Sequence, residues 1–116
     1  MNSWDDYLSQ TLPPPWDIYA RFIGMPETAI PHPSQTILFG EKESFSGHFW
    51  MNAQTGDDYQ ELEQARHGAR RAGPMGGGSN HAMVDGSVRM LPFGTALAPT
   101  NLWAVTDIWR TNSFSP

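Results

Sequence analysis

The chain has 116 residues, a net charge of −5, no cysteine, five Trp, six Phe and three Tyr. That length sets one domain with a modest, aromatic-rich core. The acidic balance argues against a nucleic-acid partner, the lack of cysteine excludes a disulfide framework or thiolate metal site, and no apolar run approaches the roughly 20 residues that span a bilayer.

Ser3-Trp4-Asp5-Asp6 reads as a helix start, with Ser3 as the cap and two acids at the positive end of the helix dipole. Trp4, Tyr7, Leu8 and Leu12 recur at helical spacing, and Pro13-Pro14-Pro15 stops the run. A second short helix is predicted from Trp16 to Ile23, with Gly24 as its stop. Pro26, Pro31 and Pro33 mark an extended connection. Gln35 to Glu41 reads as a strand, apolar enough to be central in a sheet. Ser44 to Gly56 is a loop with a short strand around His48-Phe49-Trp50-Met51. Asp57 to Arg66 reads as a helix, because Asp57 and Gln60 have capping-box spacing and Gly68 can end it.

Gly68 to Ser79 is a glycine-rich connection into a hairpin. Asp85-Gly86 between two β-prone runs is a strong two-residue turn signal, since a type I′ turn needs φ > 0 at both central residues. That turn pairs Met83 with Val88 and His81 with Met90. It places Met83, Val88 and Met90 on the core face, with His81 packed among them. Pro92 and Gly94 end the hairpin. Thr100 or Asn101 is expected to cap a helical turn through Leu102, Val105 and Trp109, although Leu102 to Trp109 equally suits an edge strand. The tail from Thr111 to Pro116 should be loose. The sum is an α+β domain: short helices over 1–24, a small antiparallel sheet with an inserted loop and helix over 34–92, and a C-terminal segment over 93–116.

Three groups of residues then carry a resemblance. They are Pro33-Ser34-Gln35-Thr36-Ile37-Leu38-Phe39-Gly40-Glu41, then Arg66-His67-Gly68, then Gly77-Gly78-Ser79-Asn80 running on to Asp85-Gly86-Ser87-Val88. In this order they resemble the C-terminal half of a bacterial family of pilin-like proteins that carry a prepilin-type N-terminal cleavage/methylation segment. The opening Ser3 to Leu8 is similar to the segment just after the long N-terminal helix in that family. The resemblance implies a pilin or type II secretion pseudopilin fold, with a small antiparallel sheet packed on a long helix. It implies a structural, non-enzymatic subunit of a filament, periplasmic or at the cell surface, whose partners are other pilin or pseudopilin subunits. Membrane contact is expected only through an N-terminal apolar helix that these residues do not include. The family's spacing between its His and Asp is short. Here a stretch around Arg70-Arg71-Ala72-Gly73-Pro74-Met75 lengthens it.

Glu41, His67, Asn80 and Asp85 fall at the family's recurrent polar positions. Two carboxylates and an amide oxygen suit Ca²⁺, and pseudopilins of this kind bind Ca²⁺; a His with two carboxylates suits Zn²⁺. The plainer alternative makes Asp85 and Gly86 turn residues, Asn80 a loop former, Glu41 a solvated strand end and His67 a side chain near a helix end. Gly76-Gly77-Gly78 precedes a strand and no Lys-Ser/Thr, so it lacks the basis of a phosphate cradle and more naturally lets the chain pass close to another element. His32, His48 and His81 can be drawn beside Asp57, Asp58 or Asp107, but no hydrolase motif accompanies them. A metal-dependent hydrolase on Glu41, His67 and Asp85 is the weakest of the readings. Phe45, Phe49, Trp50, Trp103 and Trp109 are expected mainly as core. Trp50 and Trp103 are the candidate surface for a different function, a free-standing module binding carbohydrate or protein.

Overall fold

The structure, a computed structural model, describes residues 1–12, 25–52, 57–68, 73 and 75–111. It is a mixed α+β domain built on a three-stranded antiparallel sheet. In chain order come helix α1 (Asp5–Thr11), strand β1 (Ile37–Gly40), strand β2 (Gly78–Met83), strand β3 (Val88–Pro92) and the short helix α2 (Asp107–Arg110). The order across the sheet is β1-β2-β3, so β2 is central and the Ile37 strand lies beside it, not in the middle as its apolar character suggested. The expected helix from Trp16 to Ile23 and the tail beyond Thr111 lie outside the described residues.

The hairpin forms where the Asp-Gly pair put it, but one residue out of the expected register. Ala82 pairs with Val88, His81 with Arg89 and Asn80 with Met90. The Met83 N–H donates to Ser87 O at 2.8 Å and the Gly86 N–H to Met83 O at 3.1 Å. The loop is therefore the three residues Val84, Asp85 and Gly86, and only Gly86 has positive φ, at 83°. This is the type I turn closed by a left-handed glycine, the commonest three-residue hairpin. Asp85 helps select it: its carboxylate Oδ1 accepts the Ser87 N–H at 2.9 Å and the Ser87 hydroxyl at 2.6 Å.

A shift of one residue turns every β3 side chain to the other face. Val88 and Met90, expected in the core, are 70% and 62% exposed. On β2, Met83 and His81 are buried, as expected. His81 Nδ1 lies 3.0 Å from Ser79 O, and its ring meets Trp103 edge-on at 6.1 Å between centroids. Burial holds the His81 imidazole below its ordinary pKa, against the Ser79 hydrogen bond and the Glu41 charge.

The core gathers Ile37, Met51, Tyr59, Met83, Ala96, Leu97 and Trp103, with Leu62, Leu91 and Leu102 packed at its margin. Several polar side chains are buried with it and hold distant segments together. Asn2 Nδ2 donates to Ile37 O (2.9 Å) and Trp103 O (2.7 Å). Asn101 Nδ2 donates to Tyr59 Oη at 3.0 Å, and Asn101 Oδ1 accepts the Trp103 N–H. Asn101 thus caps no helix. The helix beyond it is only Asp107–Arg110, preceded by Thr106. Arg110, buried, donates from Nη1 to Gln35 O (3.1 Å) and Ala104 O (3.2 Å), and from Nη2 to Gln35 Oε1 (3.2 Å).

Three further local expectations change. Ser3 does not cap α1; Trp4 precedes the helix with φ 62°, and the Ser3 hydroxyl donates to Met51 O at 2.6 Å. The proline-marked connection holds single 3-10 turns at Glu27–Ala29 and Pro33–Gln35. The predicted helix from Asp57 to Arg66 stops as a 3-10 turn at Glu61. Leu62 then bridges Lys42, and Glu63 N–H donates to Glu41 O at 3.1 Å. Backbone pairing with the residues after β1 competes with helix extension and wins. Around His48–Met51 there is one parallel bridge, Asn2 to Met51, in place of a strand.

Candidate functional site

The segment after Leu62 runs beside the sheet and brings three of the four predicted polar residues together. His67 and Gly78 exchange backbone bonds, 2.9 Å each way. The pairing of Gly78 with β3 on its other side requires glycine: an added Cβ would clash with the backbone carbonyl of Leu91. The glycine run thus lets the chain enter β2 against its neighbours, as expected from the sequence.

Glu41 leaves the end of β1, His67 arrives on the paired segment and Asn80 stands on the open face of β2. His67 Nε2 lies 3.0 Å from Glu41 Oε1, and Asn80 N–H donates to Glu41 Oε2 at 2.8 Å. Asn80 Nδ2 is also 3.0 Å from His67 Nε2. One ring nitrogen cannot donate to the carboxylate and accept from an amide at once. With the carboxylate beside it, Nε2 is the donor, and the amide is best satisfied with its oxygen turned to that N–H. Arg66 Nε adds a longer contact to Glu41, 3.7 Å. Burial alone would raise the Glu41 carboxyl, but the Asn80 N–H, the His67 hydrogen bond and the charges of His67 and Arg66 outweigh it and hold it below the usual glutamate value.

Asp85 does not join them. It sits in the hairpin turn, bonded to Ser87, which holds its carboxyl low through the hydroxyl first and the backbone N–H second. Asp85 and Gly86 do lie in the hairpin turn, though in a three-residue loop and not the two-residue turn expected, and among the described residues Asp85 makes no hydrogen bond or ion pair with His67. The hydrolase constellation of Glu41, His67 and Asp85 is therefore not assembled.

Calcium takes six to eight oxygens. The Glu41–His67–Asn80 cluster offers one carboxylate, with both oxygens already accepting hydrogen bonds, and one amide oxygen. Among the described residues no group of three or more His, Asp or Glu is placed to hold a metal ion. The arrangement fits a hydrogen-bonded clasp joining β1, β2 and the Leu62–Gly68 segment better than a cation site.

A second place collects chemistry that the sequence left scattered. A cavity of about 150 Å³ is lined by Met1, Glu41, Lys42, His48, Phe49, Trp50, Asp58 and Trp103, among others. His48 Nδ1 lies 2.8 Å from Asp58 Oδ1, and Asp58 Oδ2 accepts the Asn52 N–H at 2.8 Å. Asp58 thereby fixes the ring's orientation. Lys42 Nζ stands 5.2 Å from the centre of the Phe49 ring, within cation–π range. The Met1 nitrogen donates to Phe49 O at 2.6 Å. Trp103 is 1% exposed and belongs to the core, with its Nε1 buried and bonded to no acceptor among the described residues. Phe45 and Phe49, expected inside, are exposed. A third His–carboxylate pair, His32 Nε2 to Asp107 Oδ1 at 3.2 Å, lies open on the surface.

Sequence reasoning missed Asn2, Asp6 and Arg110 as organising residues. Their partners lie far along the chain, and no local spacing signals them. Compared with known proteins, the chain matches no protein-family model, no curated protein and no solved structure.

Proposed function

We propose that this domain is the globular part of a pilin-like or type II secretion pseudopilin-like subunit, with a structural rather than enzymatic role. One observation supports the reading most. The motifs that carry the resemblance are far apart in sequence yet serve one sheet: Glu41, His67 and Asn80 form the clasp, and Asp85-Gly86 forms the turn of its hairpin. Residues with such roles are needed to shape a small sheet, whatever the loops around it do. The work of the domain is then packing and display, and its partners are other subunits of the same assembly.

The test is a deletion of the gene in its source, with surface filaments sheared and the protein traced by antibody. Co-sedimentation with the filaments, or loss of pili or secretion on deletion, is expected. A protein absent from the filament fraction, with both functions intact after deletion, overturns the reading.

A second reading, a free-standing binding module for carbohydrate or protein, is favoured by one fact. Trp50 and Trp103, the two aromatics singled out for it, line the same cavity. Against it, Trp103 offers no exposed ring face for stacking. A glycan array separates the two, since the subunit reading requires no glycan affinity.

A further inference from the structure

β3 is an edge strand, and its ladder fixes which of its backbone groups face outward. Met83 N–H bonds Ser87 O, and Phe93 N–H bonds Gly77 O at 2.9 Å. In an antiparallel pair such bonded positions alternate. Ser87, Arg89, Leu91 and Phe93 therefore turn their backbone groups to β2, while Val88 and Met90 turn theirs away. Pro92 has no N–H, and its carbonyl accepts from the Thr95 N–H (3.0 Å) and hydroxyl (2.7 Å). Among the described residues nothing pairs with Val88 or Met90 on that side. The opposite edge of the sheet is covered: Leu38 O accepts the Asn2 N–H (2.9 Å), and the Ile37 N–H donates to Leu102 O (2.8 Å).

The unpaired edge coincides with an apolar face. Val88, Met90 and Pro92 are the exposed β3 side chains on the face that also carries Phe39, itself 46% exposed. Arg89, between Val88 and Met90, points to the other face and is exposed. It makes no ion pair among the described residues.

The geometry points to β3 as the acceptor for an antiparallel strand from a partner protein, a strand of pattern apolar–acidic–apolar. The backbone of Val88 and Met90 supplies two N–H and two C=O groups to it. The partner's outer two residues lie opposite Val88 and Met90 on the Phe39 face. Its central carboxylate lies opposite Arg89. A second copy of this chain is the wrong occupant. The two-fold pairing that uses both open residues sets Arg89 directly against its own copy, at about 4.5 Å between Cα atoms. Like charges placed so oppose pairing. The two-fold pairing centred on Met90 instead meets Pro92, which cannot donate. This inference does not depend on the pilin-like reading.

The test is an NMR titration of the whole ¹⁵N-labelled chain with two end-capped peptides, Thr-Val-Glu-Val-Thr and Thr-Val-Lys-Val-Thr. The Val88 and Met90 amides should shift with the Glu peptide, with at least about threefold tighter binding than for the Lys peptide. The Arg89→Glu variant should reverse that preference while keeping its spectral dispersion. The proposal is overturned if those amides do not respond, if both peptides act alike, or if the same amides respond to protein concentration alone, which would give the edge to a second copy.

Discussion

Asp6 and Val105 are joined across almost the whole chain: the buried Asp6 carboxylate Oδ2 accepts the Val105 N–H at 2.8 Å. The same oxygen accepts the Thr106 N–H at 2.8 Å and the Thr106 hydroxyl at 3.0 Å. In sequence Asp6 looks like a helix-dipole residue. In the fold it holds the C-terminal segment against α1, just before α2 begins.

Removing that carboxylate leaves two backbone N–H groups without their acceptor in a buried place. Asp6→Ala should therefore cost about 3 kcal/mol, since hydrogen bonds to a charged group are strong and orphaned donors are costly. Asp6→Asn keeps one acceptor oxygen and should cost markedly less. Urea unfolding of both variants checks this, and equal losses would contradict it.

Asp5 behaves in the opposite way. Burial pushes its carboxyl up to about 6; the Ser3 hydroxyl opposes this, while Asp6 and Asp58 add to it. The folded state thus holds a proton that the unfolded chain has released between about pH 4 and pH 6, so this group's contribution to stability falls as pH rises through that window. His81 and Glu41, both held low, act the other way on acidification. The difference between wild type and Asp5→Asn isolates the Asp5 effect. The variant should be more stable at about pH 7, by at most about 3 kcal/mol, and the gap should close towards about pH 4.

The clasp should act locally. Glu41→Ala removes the acceptor for both Asn80 N–H and His67, and should cost about 1–2 kcal/mol; His67→Ala, a half-exposed partner, should cost about 1 kcal/mol or less. Because the Glu41 carboxyl is held low, its contribution is present above the ordinary glutamate pKa and is lost as pH falls through its lowered value. A hydrogen-bonded clasp also predicts a melting temperature unchanged by chelator. A drop of several degrees with EDTA, reversed by calcium, would return the cluster to a cation site.

The hairpin register can be tested by substitution. In the structure Met90→Thr and Val88→Thr alter exposed positions and should each cost under about 0.5 kcal/mol. Met83→Ala opens the core and should cost about 2–4 kcal/mol. The two-residue turn read from the sequence would make all three costly, so thermal melts of the three variants distinguish the registers.

Gly78→Ala should be disproportionately harmful for so small a change. Its added methyl meets the Leu91 carbonyl, backbone that cannot swing aside. Loss of about 2 kcal/mol or more is expected, with amide exchange of His67 and Asn80 accelerated.

Short-range chemistry in the sequence determined a good deal of this protein. Asp85-Gly86 located the hairpin because only glycine is comfortable at the left-handed position. The β-branched and apolar run at Ile37 located β1, and the glycine run announced a close backbone approach. The resemblance picked out Glu41, His67 and Asn80, which the fold does bring together. What tertiary structure alone decided is everything that depends on partners distant along the chain. Asp-Gly serves both a two- and a three-residue loop; the Asp85–Ser87 bonds support the three-residue one, and that register sends Val88 and Met90 to the surface while Met83 and His81 stay buried in either case. The predicted helix from Asp57 shortened because the residues after Glu61 found backbone partners beside Glu41 and Lys42. Asn2, Asp6 and Arg110 look like ordinary polar residues locally, yet each is buried because carbonyls or amides tens of residues away satisfy it.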